Sequence, residues 1–244
     1  MPPSPRRTLV TGASTPLGIE LVRHCLSGGD RVIAASRNPA RVAALADLRA
    51  NFGGLELLAL DPADAASVAD AYPVLERITS SLDLLVIAPA ETGLHDRTSE
   101  LERDEHFHTM SGTGLLEHYR RHAVSPLLLV RTLLPLLAAG DGARILLVGD
   151  SRGALSAKGE GGQYATAASA AAFHMLARAL AHDLAEQRIL VCLGNAGHSA
   201  RDVDDPEYSI PLDEAAAGLL AVTERLGPAQ SGHFFDWTGA ERAW

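Results

Sequence analysis

Lysine is almost absent from this chain. Of its 244 residues 21 are basic, and Lys158 is the only lysine. No tyrosine has a lysine four positions later. Chemistry that needs such a pair on one helical face is therefore excluded. Cysteine is nearly as scarce: Cys25 and Cys192 each sit inside a segment that reads as core. Two such thiols make neither a disulfide framework nor a metal set, and buried, reduced thiols are the expectation. No apolar run of signal or membrane-spanning length stands out. MPPSPRR, residues 1–7, reads as a disordered tail rather than a targeting signal, and a cytoplasmic location is expected. Positive charge is in deficit, with 30 acidic residues and a formal net charge of −9. That balance argues against nucleic acid and anionic membranes as partners. The preference for arginine over lysine carries no functional information.

What is present is regular alternation from Thr8 to the C-terminus, with no linker and no internal repeat, so residues 8–244 read as a single domain. Strands are predicted at Thr8–Thr11, Arg31–Ser36, Leu55–Leu60, Leu84–Ala88, Arg144–Val148, Ile189–Leu193 and His233–Asp236. Helices are predicted at Leu17–Leu26, Pro39–Ala50, from near Asp64 with a break or bend at Pro73, Gly114–Ala138, Gly162–Gln187 and Asp213–Leu226. A polar loop covers residues 91–108. The runs LDLLVIA, RILLVG and RILVCLG are apolar throughout, as strands covered on both faces require. The predicted fold class is α/β: a single Rossmann-type, doubly wound parallel sheet of about seven strands with helices on both faces.

Two stretches carry chemistry. TLVTGASTPLGIE, Thr8–Glu20, joins a strand to a helix, the context of a phosphate loop. Gly12 suits the tight turn and Gly18 the close packing of helix on sheet, while helix N-terminal amides can meet a pyrophosphate. Pro16 adds bulk and lacks an N–H at that point. Strand two ends in Ser36-Arg37 with no acidic residue for a ribose hydroxyl, so a dinucleotide would be NADP rather than NAD. The second stretch is GQYATAASAAAFHMLARALAHDLAEQ, Gly162–Gln187. Its residues Phe173, Leu176, Leu180 and Leu184 share one face, and its first half is nearly all Ala and Ser.

That second stretch resembles the catalytic helix of the short-chain dehydrogenase/reductase superfamily. The ending SGHFFDWTGAERAW, Ser231–Trp244, is similar to that of the C-factor-like (sniffer-type) carbonyl reductases. The resemblance implies a dinucleotide set of Gly12, Ser14, Leu17, Gly18, Arg37, Asp61 and Ala88, with Asp61 against the adenine. It also implies a tetrad Asn, Ser, Tyr, Lys. Counted from the R-x-L run at Arg178, the Tyr and Lys positions fall on Thr166 and Ala170. The Asn position falls on His122, and the Ser persists as Ser151. The family's N-A-G after strand four is here Ala88-Pro89-Ala90.

These departures point away from ordinary hydride transfer. The catalytic candidates are Ser151, His122, Tyr164 and Thr166, all expected to face one cleft. His122 is suited to proton transfer, Ser151 to binding an oxygen, and Tyr164 to a secondary donor role. The leading expectation is non-redox acid–base chemistry (cyclisation, dehydration or isomerisation) on a small-molecule substrate. An NADPH-dependent carbonyl reductase with atypical residues is one alternative, and a non-catalytic binding protein another. NADP binding is expected to be weakened or lost, and no metal is expected. His106, His108, His118 and His122 superficially suggest a metal cluster but lack a third aligned ligand. Glu91, His95 and Asp96 are candidates for the cleft mouth, and His198 and Arg201 for a lid. A homodimer is a further possibility for this superfamily.

Overall fold

The computed structural model describes residues 5–88, 103–197 and 210–244. Pro89, Ala90, Glu91, His95, Asp96, His198 and Arg201 lie outside the described residues. Seven strands form one all-parallel sheet in the order β3-β2-β1-β4-β5-β6-β7. They are β1 (Arg7–Thr11), β2 (Arg31–Ser36), β3 (Leu55–Ala59), β4 (Leu84–Ile87), β5 (Arg144–Val148), β6 (Leu190–Asn195) and β7 (Phe234–Asp236). The order reverses between β1 and β4, and ligand clefts of open α/β sheets form at that point, beyond the carboxyl ends of the strands. Central register places Leu9 between Ile33 and Leu85, and Ile145 against Val191. All four residues of β4 are buried, as the unbroken apolar runs require.

The helices are α1 (Pro16–Ser27), α2 (Ala43–Asn51), α3 (Ala65–Ile78), α4 (Gly112–Ala138), α5 (Tyr164–Asp183) and α6 (Leu212–Arg225). One core layer joins α3, α4 and α5 to the sheet through residues such as Leu75, Leu129, Leu133 and Phe173. The other joins α1, α2 and α6 through Leu21, Leu45 and Leu219.

Several elements differ from the sequence expectation. The helix expected from Pro39 to Ala50 splits into a 3-10 turn, Pro39–Arg41, and α2. α3 runs unbroken through Pro73. The proline costs a hydrogen bond there, but buried Ala71 and Leu75 on either side, with Val68 and Tyr72, hold the helix to the core. α4 carries a π turn at Arg120–Val124, where the Ser125 hydroxyl donates to the Arg120 carbonyl at 2.8 Å. α4 is also long and apolar enough to span a membrane by length and composition, which the sequence reading did not flag. Here its apolar side, including Leu129, Val130 and Leu137, is buried in the core.

Two expected tail residues are held in place. The Arg6 guanidinium donates to Asp30 at 2.9 Å, and Arg7, the first residue of β1, makes two bonds of 2.8 Å to Asp83. The C-terminal ending is a compact corner. Gly232, at φ +85°, donates its N–H to the Val191 carbonyl at 2.7 Å. Asp236 accepts from the amides of Thr238 and Ala240, each at 3.0 Å. Trp244 then packs on His174 and Phe234, with the Arg178 guanidinium 5.5 Å from its ring centre.

Candidate active site

The β1–α1 loop turns on two glycines. Gly12 has φ +64°, which suits glycine. Gly18 lies so close to it that a Cβ would come within 2.1 Å of the Gly12 carbonyl oxygen. Thr15 caps α1: its hydroxyl donates to the Gly12 carbonyl at 2.8 Å and accepts the Gly18 N–H at 3.0 Å. Pro16 occupies the first helical position and has no N–H to offer. Of the first-turn amides, Leu17 is therefore the one left for an incoming anion. Ser14 lies in the same loop and is exposed.

Arg37 follows β2 at the carboxyl edge and is exposed. Asp61 follows β3 in a tight turn, where its carboxylate accepts the Ala63 N–H at 2.9 Å and its own N–H donates to Ser67 at 2.9 Å. Ala88 is buried just past β4. The loop, the cation and the acid thus line the carboxyl edge of β1, β2 and β3. That arrangement fits the phosphoadenosine end of a dinucleotide.

The other end of the cleft is built on α5. β5 is followed by Gly149-Asp150-Ser151-Arg152-Gly153, and this turn sits directly on the helix. A Cβ at Gly153 would lie 2.6 Å from the Ala170 carbonyl carbon and 2.8 Å from the Ala171 nitrogen. A Cβ at Gly149 would lie 3.2 Å from Nε2 of His174. Positions 166, 170 and 174 form one line along the helix, so the line that begins at Thr166 runs beneath the Ser151 turn. Ser151 is partly exposed above it. Asp150 accepts the Arg152 N–H at 2.9 Å and holds the Arg152 guanidinium through both carboxylate oxygens.

His122 sits in the π turn of α4, which packs against α5. Its pKa is pushed down to about 4, first by burial, then by His118 and Arg121, with Asp150 and Glu117 opposing. The imidazole is therefore neutral near pH 7. The ring of His118 lies 5.6 Å away; it is 7% exposed, and neither of its nitrogens has a hydrogen-bond partner among the described residues. Burial likewise lowers His174 to about 4, and Asp150 offsets only part of it.

Thr166 does not stand free in the cleft. Its hydroxyl donates to Oε1 of Glu105, and its amide approaches Oε2 at 3.4 Å. The neighbouring Ala165 N–H donates to the Asp104 carbonyl at 3.2 Å. Asp104 itself is buried and accepts from the amide and hydroxyl of Ser111. Ala170 is 7% exposed, closed in by Gly153.

Tyr164 is the first residue of α5, is 37% exposed, and packs its ring 6.0 Å from Phe107. It is two positions from Thr166, about 200° around the helix, so the two side chains leave opposite sides. The turn that carries Ser151 and the π turn that carries His122 both pack on α5, but the cavity that Ser151 lines is shared with Ala154, Phe234 and Arg242 and not with His122 or Thr166, and Tyr164 leaves α5 on the side away from Thr166. His106 and His108 are exposed, and no group of three metal-ligating side chains occurs among the described residues. Glu105, Asp150 and His174 were missed in the sequence. Nothing in DEHFHT marks Glu105, because its partner lies 61 residues away.

The two ends of the cleft differ in their fit to a nicotinamide dinucleotide. The phosphoadenosine end offers Arg37, Asp61 and the glycine turn. At the α5 end Thr166 is bound to Glu105, and Ala170 supplies neither charge nor hydrogen bond. The residues present do not fit the nicotinamide half.

The family model described as short chain dehydrogenase matches residues 6–205. The C-signal of Myxococcus xanthus is 33% identical over 123 residues, 50% of this chain and 74% of that protein. A 1-hydroxy-2-glutathionyl-2-methyl-3-butene dehydrogenase of Rhodococcus sp. (strain AD45) is 33% identical over 127 residues, 50% of this chain and 55% of that protein. Among solved structures, an NADPH-bound carbonyl reductase from chicken fatty liver matches with a TM-score of 0.84 and 26% identity, covering 98% of this chain and 99% of its own. The carbonyl reductase Sniffer of D. melanogaster matches in fold with a TM-score of 0.82 and 22% identity, covering 98% and 100%.

Proposed function

The chain belongs to the short chain dehydrogenase family, and from that premise we propose that it performs non-redox acid–base chemistry on a small molecule. The family is one of oxidoreductases. This member, in our reading, keeps the family's cleft and not its hydride step. The reaction would be a cyclisation, dehydration or isomerisation. Ser151 binds the substrate oxygen, and His122 is the base or acid of the reaction. Thr166 lies at the helix position, and Tyr164 is a secondary donor at the rim.

One observation carries the reading. The Thr166 hydroxyl is bound to Glu105, and one turn on Ala170 is sealed beneath Gly153. A carbonyl reductase needs a proton donor tuned by a nearby cation at that place, and among the described residues neither is supplied. The phosphoadenosine end supports residual NADP binding, weakened by Pro16. A single domain over residues 8–244, a cytoplasmic location and no metal complete the proposal. The reductase alternative draws support from Arg37 and from the likeness to the NADPH-bound chicken enzyme.

Calorimetry tests the cofactor part. NADPH and adenosine 2′,5′-bisphosphate should bind with similar affinity, because the nicotinamide half adds nothing. NADH should bind at least about tenfold more weakly, a difference near 1.4 kcal/mol. NADPH binding more than about tenfold tighter than the bisphosphate would revive the reductase reading.

A further inference from the structure

We propose that the open edge of the sheet, at β3, is a docking site for an extended segment of a partner protein that carries basic and apolar residues on one face. The inference stands apart from the cleft and does not depend on the reaction assigned to it.

The two edges of the sheet end differently. At β7 the chain doubles back on itself. The Asp236 N–H donates to the Ala240 carbonyl at 2.9 Å and the Arg242 N–H to the Phe234 carbonyl at 2.8 Å, so that edge is covered. At the other edge β3 pairs with β2 alone. The Gly54 carbonyl accepts the Val32 N–H, and the Leu60 N–H donates to the Ser36 carbonyl, each at 2.9 Å. Successive residues of a strand turn their backbone groups to opposite sides, so the even-numbered residues of this stretch serve β2. Leu55, Leu57 and Ala59 therefore turn theirs to the open side, where no strand among the described residues meets them. Such a row of unpaired N–H and C=O groups is a template for one more strand.

Side chains beside this edge give the added strand something to hold. A groove of about 480 Å³ runs between β3 and α3. Leu57, Leu58, Ala71 and Val74 line it, and Val74 is 37% exposed. Asp64 and Asp70 line it too. Both are exposed, and among the described residues neither pairs with a cation. Glu56, exposed on β3 itself, adds a third negative charge.

Charge selects the occupant. A second copy of this chain would bring the same acids against one another, on a molecule of net charge −9. A charged edge strand guards against that kind of pairing. A strand with Lys or Arg among its apolar residues meets the opposite situation. Its backbone bonds to Leu55, Leu57 and Ala59, its apolar side chains cover the groove, and its cations face Asp64 and Asp70.

The test is fluorescence anisotropy with the full chain and a labelled octapeptide, Val-Val-Lys-Lys-Val-Val-Lys-Lys, which places both residue types on each face. The expected result is saturable binding that is lost when the central amides of the peptide are N-methylated, since these then cannot donate to the edge. Asp70→Lys should weaken binding about threefold or more. Leu57→Pro removes an N–H on the open side, where an edge strand tolerates proline, and should weaken it by at least about fivefold. If that variant does not fold, the methylated peptide and Asp70→Lys still decide. Absence of saturable binding would overturn the proposal, as would binding indifferent to N-methylation or unchanged in Asp70→Lys. Equal binding of the peptide with Glu in place of Lys would overturn it too. A concentration-dependent dimer in sedimentation that Leu57→Pro abolishes would assign the edge to a second copy and overturn the partner.

Discussion

Acidification from pH 7 to pH 5 should destabilise this protein through two histidines. His122 and His174 are both held near 4, against an ordinary value of 6.5, chiefly by burial. The native state keeps them neutral, whereas the unfolded chain takes up protons below 6.5. Their contribution is thus complete above 6.5 and lost as pH falls toward 4. His174 is 3% exposed and should cost about 2 kcal/mol between pH 7 and pH 5. His122 is partly exposed and should cost less. The depressed carboxylates act in a lower window. Glu117, near 2 beside Arg120 and Arg121, and Asp83, lowered by its bonds to Arg7 despite partial burial, lose their contribution only below the ordinary carboxylate range. Urea unfolding at pH 7, 6 and 5 reads the effect as a falling midpoint at constant slope. Whatever its stability at pH 7, the His174→Leu variant should lose the His174 share of the pH dependence. A wild-type stability flat between pH 7 and pH 5, or an unchanged dependence in His174→Leu, would refute the argument.

Two substitutions probe the supports of the cleft. Gly153→Ala places a methyl group 2.6 Å from the Ala170 backbone and should destabilise the fold by about 1–3 kcal/mol in urea titration. Unchanged stability would mean that the Ser151 turn is not seated on α5 as described. Pro16→Gly restores an N–H to the first turn of α1, and calorimetry should show severalfold tighter binding of adenosine 2′,5′-bisphosphate. The same change should cost under about 1 kcal/mol of stability through added chain freedom.

Much of the fold was legible because burial on two faces leaves a plain signature. The runs at β4, β5 and β6 gave strands, and the glycines around α1 gave its loop. The C-terminal ending was legible as a motif, and the corner at Gly232 and Asp236 gives its physical basis. Local rules failed where packing opposed them. Pro73 suggested a break, yet core contacts on both sides of it carry α3 through. Nothing in RRHAV distinguishes a π turn from an ordinary helical turn, so the setting of His122 was hidden. The opposed directions of Tyr164 and Thr166 follow from helix geometry and were available from spacing alone. The Glu105–Thr166 pair was not, because it joins a loop to a helix across 61 positions and depends on how the chain folds back. The depressed pKa values were equally hidden, since they arise from burial.

The most direct test is NADPH consumption by the purified chain against a panel of aldehydes and ketones, followed through nicotinamide absorbance. The account predicts no carbonyl-dependent loss of NADPH above background, even at nucleotide concentrations that fill the phosphoadenosine end of the cleft. Consumption that requires a carbonyl substrate and disappears in Ser151→Ala would contradict it, because hydride transfer would then proceed without the proton donor and cation that the described residues of the α5 end lack.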